Sequence, residues 1–378
     1  MKKILLIALA FTAAVSCSKS DIAYEEQEEI NILPVSRNVT KSVMVGTDFL
    51  GSEFKVWAWF NQLGAGENRI AAWQKGFAQG AESPTSLYVD EKSFIEKDAT
   101  KNLWGGRIPY YWPKAGSLVF AGYHAPGLTQ PTDVTYTFDN DENYMMFNDI
   151  AQTILSETGY NEDIMYFNMT PSSYNASSKV VPVYFKHALS WITVTLSKKV
   201  DPEIEAGIKI HDVIFTDVCS KGSGKVDNQE TIAWTPDNAT KQDFVVLKDG
   251  NVELLYKEGK NENEERTIEA IINTCDEYLI IPQGINGFLK VRYSVISSDN
   301  STFTETYTVN LRALKDGSHN VWEPGKHYVY NIAIGTDELM VTPIVKDWKE
   351  VPTSILIPMP ETGSGSTTGG GSEGKGTN

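Results

Sequence analysis

Trp191-Ile192-Thr193-Val194-Thr195-Leu196 alternates two sets of side chains, with Ile, Val and Leu on one side of an extended backbone and Trp, Thr and Thr on the other. Successive strand residues point to opposite faces, so this period of two predicts a half-buried β-strand. Working outward, runs of similar character recur at 54–60, 118–123, 180–185, 208–215, 244–247, 267–272, 278–281, 288–296, 302–311 and 327–334. Clusters of Gly, Asn, Asp and Pro separate them, as turns require. Long amphipathic helical patterns are scarce, and 150–158 is the one stretch with a short helical spacing. Strands without crossover helices predict an all-β protein built from antiparallel sandwiches.

The chain has 378 residues, 41% hydrophobic and 22% charged, which suits a folded protein of two domains rather than a disordered one. Lys and Arg total 33 against 49 Asp and Glu, a net charge of −16 that repels polyanions and argues against nucleic acid as a partner. A small, polar stretch at 170–178 marks the expected boundary between one domain at 38–175 and a second at 176–360. Residues 361–378 hold seven glycines and no large apolar side chain, so they are expected to form a flexible tail.

At the amino end, Lys2 and Lys3 precede a twelve-residue apolar run at 4–15, the length of a secretory signal and too short to span a bilayer. The run ends in Ala14-Val15-Ser16-Cys17, which resembles the lipobox of bacterial lipoproteins, with Ala14 where Leu is usual. The resemblance implies that residues 1–17 form the signal peptide and lipobox, and that Cys17 carries the acyl chains. Such chains on one residue make a stable membrane anchor. Residues 18–37 begin as an acidic tether with Glu25, Glu26, Glu28 and Glu29 and continue as Ile30-Asn31-Ile32-Leu33-Pro34-Val35-Ser36-Arg37, which reads as a strand or a linker.

Residues that could carry chemistry are sparse. Cys219 and Cys275 either form a disulfide or remain two buried thiols, and neither has redox or zinc spacing. Gly222-Ser223-Gly224-Lys225 has the look of a phosphate loop, but Cys219 and Val226 stand where that loop needs Gly and Ser/Thr, so it reads as a turn. The five histidines lack metal-ligand spacing, and there is no Gly-x-Ser-x-Gly elbow. The acids of 139–143 lack the spacing of a calcium loop, and Glu262, Glu264 and Glu265 read as a solvated hairpin. No catalytic residue, metal or cofactor is expected; a glycosidase would need two carboxylates about 5–10 Å apart across one cleft. Trp57, Trp59, Trp104 and Trp112 admit two readings, a stacking platform for sugar rings or core aromatics.

Several longer motifs carry a family resemblance. Trp104-Gly105-Gly106-Arg107-Ile108-Pro109-Tyr110-Tyr111-Trp112-Pro113 is followed by Leu118-Val119-Phe120-Ala121-Gly122-Tyr123-His124-Ala125-Pro126. Phe185-Lys186-His187-Ala188-Leu189-Ser190 comes next, then Tyr278-Leu279-Ile280-Ile281-Pro282-Gln283, Trp322-Glu323-Pro324-Gly325-Lys326-His327-Tyr328-Val329-Tyr330-Asn331-Ile332 and Val345-Lys346-Asp347-Trp348. In this order, behind a lipobox, they resemble the fimbrillin-like (Mfa-like) lipoproteins of Bacteroidales.

The resemblance implies two transthyretin-like antiparallel β-sandwich domains in a pilus subunit or surface adhesin. It also implies a precursor lipid-anchored to the outer membrane at the cell surface. A trypsin-like protease then cuts after Arg37, ahead of Asn38, and frees the first strand. The groove so opened takes a strand from another fimbrial subunit by β-augmentation, and the chain passes into a fimbrium. The candidate donor is Ile355, Leu356 and Ile357, although the flanking Pro352 and Pro358 lack the N–H that a ladder uses. Implied partners are other subunits, the outer membrane through the anchor, and a host or bacterial surface ligand. A monomeric glycan-binding lipoprotein using the four tryptophans is the alternative.

Overall fold

The computed structural model describes residues 28–34, 53–61, 85–112, 117–138, 143–151, 162–172, 180–198, 207–254, 256–260, 266–270, 273–274, 278–297, 299–313, 321–334 and 339–347. The first strands are β1 (Asn31–Pro34), β2 (Glu53–Asn61), β3 (Thr85–Asp98), β4 (Leu103–Gly106), β5 (Ser117–His124), β6 (Val134–Phe138), β7 (Asn143–Ala151), β8 (Met165–Ser172), β9 (Val180–Val183) and β10 (Lys186–His187). There follow β11 (Ser190–Lys198), β12 (Gly207–Cys219), β13 (Lys221–Val226), β14 (Ile232–Pro236), β15 (Lys241–Leu247), β16 (Val252–Leu254), β17 (Tyr256–Lys260), β18 (Arg266–Ala270) and β19 (Asn273–Thr274). The last are β20 (Tyr278–Ile280), β21 (Gln283–Gly284), β22 (Phe288–Ile296), β23 (Thr302–Asn310), β24 (Val321–Trp322), β25 (Lys326–Ile334) and β26 (Leu339–Asp347). Among the described residues there is no α-helix, so the molecule is all-β as expected.

The strand that opens the sequence argument behaves as its alternation requires. Ile192, Val194 and Leu196 of β11 are fully buried in one core, while Trp191 is buried in another. Thr193 and Thr195 hydrogen-bond His327 and Asn331 of the neighbouring β25. β11 lies in a five-stranded sheet with β19, β20, β25 and β26, and it faces a second five-stranded sheet of β15, β16, β12, β22 and β23. Between the two sheets pack Ile208, Ile210 and Phe215 of β12, Leu289, Val291 and Tyr293 of β22, and Tyr328, Tyr330 and Ile332 of β25. Each fully buried side chain of this size contributes ~1.5–3 kcal/mol. Trp322 keeps its polar atom satisfied there, donating from Nε1 to the Tyr330 hydroxyl at 2.8 Å.

The other half is built on an eight-stranded sheet in the order β10-β8-β5-β2-β3-β4-β1-β9. Both faces of its middle strand β2 are covered. Phe54, Val56 and Ala58 enter one core; Trp57 and Trp59 enter another, against a four-stranded sheet ordered β14-β13-β7-β6.

Four features differ from the sequence expectations. Ile150 and Ala151 close strand β7 rather than opening a helix. Residues 221–226, read as a turn around Gly222 and Gly224, form β13 inside the four-stranded sheet. The glycines are there for room: a Cβ on Gly224 would sit 3.0 Å from the Trp234 ring, and one on Gly222 would sit 3.2 Å from Ile281. The sheets are not wholly antiparallel, since β11 pairs parallel with β25 and β1 with β9. The boundary expected between 175 and 176 does not separate sheets: β9 and β10 join the eight-stranded sheet, and β13 and β14 pair into the sheet of β6 and β7.

Candidate functional site

β1 is only four residues long, yet it is an interior strand. It pairs antiparallel with β4, placing Ile32 opposite Trp104, and parallel with β9, placing Ile32 opposite Val181. The pairing is extended upstream by a backbone clip: Ile30 donates to the Tyr110 carbonyl at 2.7 Å, and Trp112 donates to the Glu28 carbonyl at 2.9 Å. Ile30 and Ile32 have no accessible surface at all. They share their core with Phe54, Phe94, Trp104, Phe167, Val183 and Phe185. The rings of that core meet closely, Phe54 lying 5.3 Å from both Trp104 and Phe185 and Phe167 lying 5.1 Å from Phe185. Ile-x-Ile thus inserts two branched side chains into an aromatic-lined groove, with the intervening Asn31 only half-buried.

Polar groups hold the strand's ends. Asn102, in a left-handed conformation at φ 51° that Asn tolerates, donates through Nδ2 to the Pro34 carbonyl at 3.0 Å. Trp104 donates from Nε1 to the Asn102 side chain at 3.0 Å and so orients it. Asn31 donates to the Glu29 carbonyl at 3.3 Å, and Lys97 lies 3.7 Å from the Glu29 carboxylate. Asn102 was not legible as part of the site; its one sequence cue is that Asn is favoured where the chain turns left-handed.

The arrangement is built from backbone pairing and apolar packing. It is a slot whose occupant supplies two rows of backbone hydrogen bonds and two apolar side chains spaced two residues apart. Loss of the occupant would leave β4 and β9 with unpaired N–H and C=O groups and the aromatic core open to water.

A separate cleft of about 630 Å³ is lined by Glu53, Lys55, Glu91, Tyr123, His124 and the 125–131 loop. Its charged groups are already engaged with one another. Glu53 pairs with Arg107 at 2.9 Å and Lys55 at 3.3 Å. Burial opposes its ionisation, but the bonds from Arg107 and Lys55 prevail and hold the carboxyl below its usual range. Tyr123 donates to Glu91 at 2.7 Å, and burial, helped by that carboxylate, pushes the phenol well above its ordinary value. Burial also lowers the pKa of His124, whose Nδ1 lies 3.0 Å from the Glu53 carbonyl. Among the described residues no three His, Cys, Asp or Glu side chains converge as metal ligands.

The structure separates the residues singled out in the sequence. Trp57, Trp59, Trp104 and Trp112 are 5, 4, 1 and 7% exposed, so they form no platform for a sugar. Their faces are taken by other rings, Trp59 by Tyr136 at 4.5 Å and Trp112 by Phe120 at 6.2 Å, which corrects the stacking reading. Cys219 is a buried free thiol, its pKa raised by burial; Cys275 lies outside the described residues. Cys17, Arg37, Asn38, Ile355, Leu356 and Ile357 lie outside them too.

Comparison with known proteins agrees with the architecture. A fimbrial protein from Bacteroides vulgatus superposes with a TM-score of 0.56 at 16% identity, over 84% of this chain and 99% of that one. A candidate cell adhesion protein from Bacteroides uniformis gives 0.47 at 12% identity, over 85% of this chain and 100% of that one. No curated protein matches. The model of the fimbrillin-like family matches residues 60–348, starting beyond β1. That family implies a cell-surface location, and among the described residues no helix is long and apolar enough to cross a membrane. With sheet architecture, ordered landmarks and a match over most of its length in agreement, the chain belongs to the fimbrillin-like family.

Proposed function

We propose that this chain is a non-enzymatic fimbrial subunit or surface adhesin that assembles by exchanging its first strand. The observation that carries the reading is the insertion of β1 between β4 and β9, with Ile30 and Ile32 fully buried. The scissile bond Arg37-Asn38 lies three residues past Pro34, where β1 ends. Cutting there leaves a four-residue strand held by noncovalent contacts alone, and it separates the body of the protein from the lipid on Cys17.

The donor is the carboxyl segment of a second subunit. Ile355-Leu356-Ile357 repeats the Ile-x-Ile spacing of Ile30-Asn31-Ile32, so the same two positions of the groove can be refilled while the backbone restores the lost ladders. Folding free energy that a closed domain keeps to itself is spent between subunits instead.

The test uses the full chain on its native cell with Arg37→Ala, alongside Arg37→Lys as a control that a trypsin-like protease still cuts. Arg37→Ala is expected to keep the protein in the outer-membrane fraction and out of sheared surface polymer, with Arg37→Lys unaffected. Polymer formed equally well by Arg37→Ala, with residues 28–34 still attached, overturns the reading.

A further inference from the structure

The sheet edges differ in how they are defended against an added strand. β26 carries Pro343 and Lys346, β9 carries Pro182, and β14 ends in Pro236. β10 and β19 are two residues long and β6 is five. Such short strands, prolines and lysines blunt an edge. β23 has none of them. Thr302-Phe303-Thr304-Glu305-Thr306-Tyr307-Thr308-Val309-Asn310 contains neither Pro nor Lys, and it pairs with β22 over nine consecutive residues without a register shift.

Among the described residues no strand pairs with the outer edge of β23, which closes its five-stranded sheet. Seven of its nine residues are exposed. Every second residue of an antiparallel edge strand turns its N–H and C=O away from the sheet, so this edge offers a straight row of free donors and acceptors. Phe303 is on the same face as Tyr307 and Val309, which pack on the core between the sheets, but is itself 64% exposed.

We propose that this edge is a docking surface for a second copy of this chain, β23 against β23, antiparallel about a two-fold axis at Thr306. The strand's own sequence selects that occupant. Pairing 302–310 with itself about its midpoint sets Phe303 against the other copy's Val309, Thr304 against Thr308, Glu305 against Tyr307 and Thr306 against Thr306. Aromatic with β-branched and Thr with Thr are favourable cross-strand pairs, and no like charges stand directly opposite. The two Glu305 side chains are diagonal neighbours, exposed and screened by salt. Arg292, beside Thr306 on β22, is already paired with Asp212 and with Asp249 at 3.2 Å, so it brings no free charge to the seam. The result is one sheet running continuously through two molecules, with the exposed Phe303 covered at each end. It is independent of strand exchange, because β1 and β23 belong to different sheets.

The test uses the full chain carrying Arg37→Ala, which retains β1, in detergent micelles, with mass read by light scattering at about 100 µM, where a Kd of ~10 µM leaves mostly dimer. Dimers are expected. Thr306→Lys and Thr306→Asp each place like charges face to face and are expected to weaken the dimer at least about tenfold, whereas mixing the two variants restores it. Thr306 is exposed, so both variants keep the fold, checked by circular dichroism. As a second readout, Thr306→Cys is expected to form a disulfide-linked dimer, since directly opposed Cβ atoms lie about 4.5–5.5 Å apart. Thr302→Cys, which faces Asn310, is not. A monomer at this concentration, single variants that dimerise like the parent, a mixture that does not recover, or equal crosslinking at 302 and 306 overturns the proposal.

Discussion

Ile32 has no accessible surface and sits between Trp104 and Val181 on the flanking strands. Truncating it removes three methyl or methylene groups from an aromatic core that cannot fully collapse. Ile32→Ala is therefore expected to lower the unfolding free energy of the uncut chain by ~2–5 kcal/mol, measured in urea. Gly224 makes the opposite demand, for emptiness. With Trp234 and Ile232 each about 3 Å from where a Cβ would stand, Gly224→Val is expected to cost ~1–3 kcal/mol through overpacking, read as a lower denaturation midpoint.

His327 gives a pH dependence. Its ring stacks on Trp191 at 3.4 Å and its Nε2 meets the Thr193 hydroxyl at 2.9 Å. Burial, with Lys346 nearby, lowers its pKa from 6.5 to about 4. Between those two values the unfolded chain binds the proton and the folded chain does not, so this residue's contribution is fully present above pH 6.5 and is lost as pH falls toward 4. His327→Phe, which keeps the stack without the proton, is expected to flatten that part of the stability profile; an unchanged slope would remove His327 from the account.

At the scale of elements, β1 is the part whose removal matters. A chain lacking residues 28–34 is expected to expose apolar surface, with increased binding of a hydrophobic dye. A synthetic peptide of residues 28–37 is expected to reverse the increase, and a peptide of 351–360 to do so as well. Reversal by the first alone would show that the groove rejects the proposed donor. Much of this architecture was legible in the residues. Period-two alternation located β11, β12, β22 and β25, each of which puts an apolar set on a core face. Continuous apolar runs located β2 and β5, buried on both faces, and the Thr- and aromatic-rich 302–310 located the largely exposed β23. Alternation failed for β3, whose Asp90-Glu91-Lys92 segment is charged and kinks through a left-handed Glu91 at φ 46°, and for β13, whose glycines serve a neighbour's bulk. The Trp-rich segment was ambiguous for a physical reason: a sugar platform and a core use the same side chains, and only packing tells them apart. Ile30-x-Ile32 could be read as strand or linker, since nothing local says that β4 and β9, about 70 and 150 residues further on, close around it.

At the scale of the whole molecule, three hydrophobic cores share one chain. The pair of five-stranded sheets is filled by its own residues, from β11 through β26. The eight-stranded sheet depends on a strand that precedes the rest of the domain and is joined to it through Arg37. Under the proposed function, the protein anchored by Cys17 and completed by β1 would be closed and fixed, and the same protein cut after Arg37 would be open and free to join another. The most direct measurement is the intact mass and amino-terminal sequence of the protein in surface material sheared from the native cell, compared with that left in its outer membrane. Polymer whose chains begin at Asn38 is the predicted result. Acylated monomer beginning at Cys17 in every fraction would contradict it.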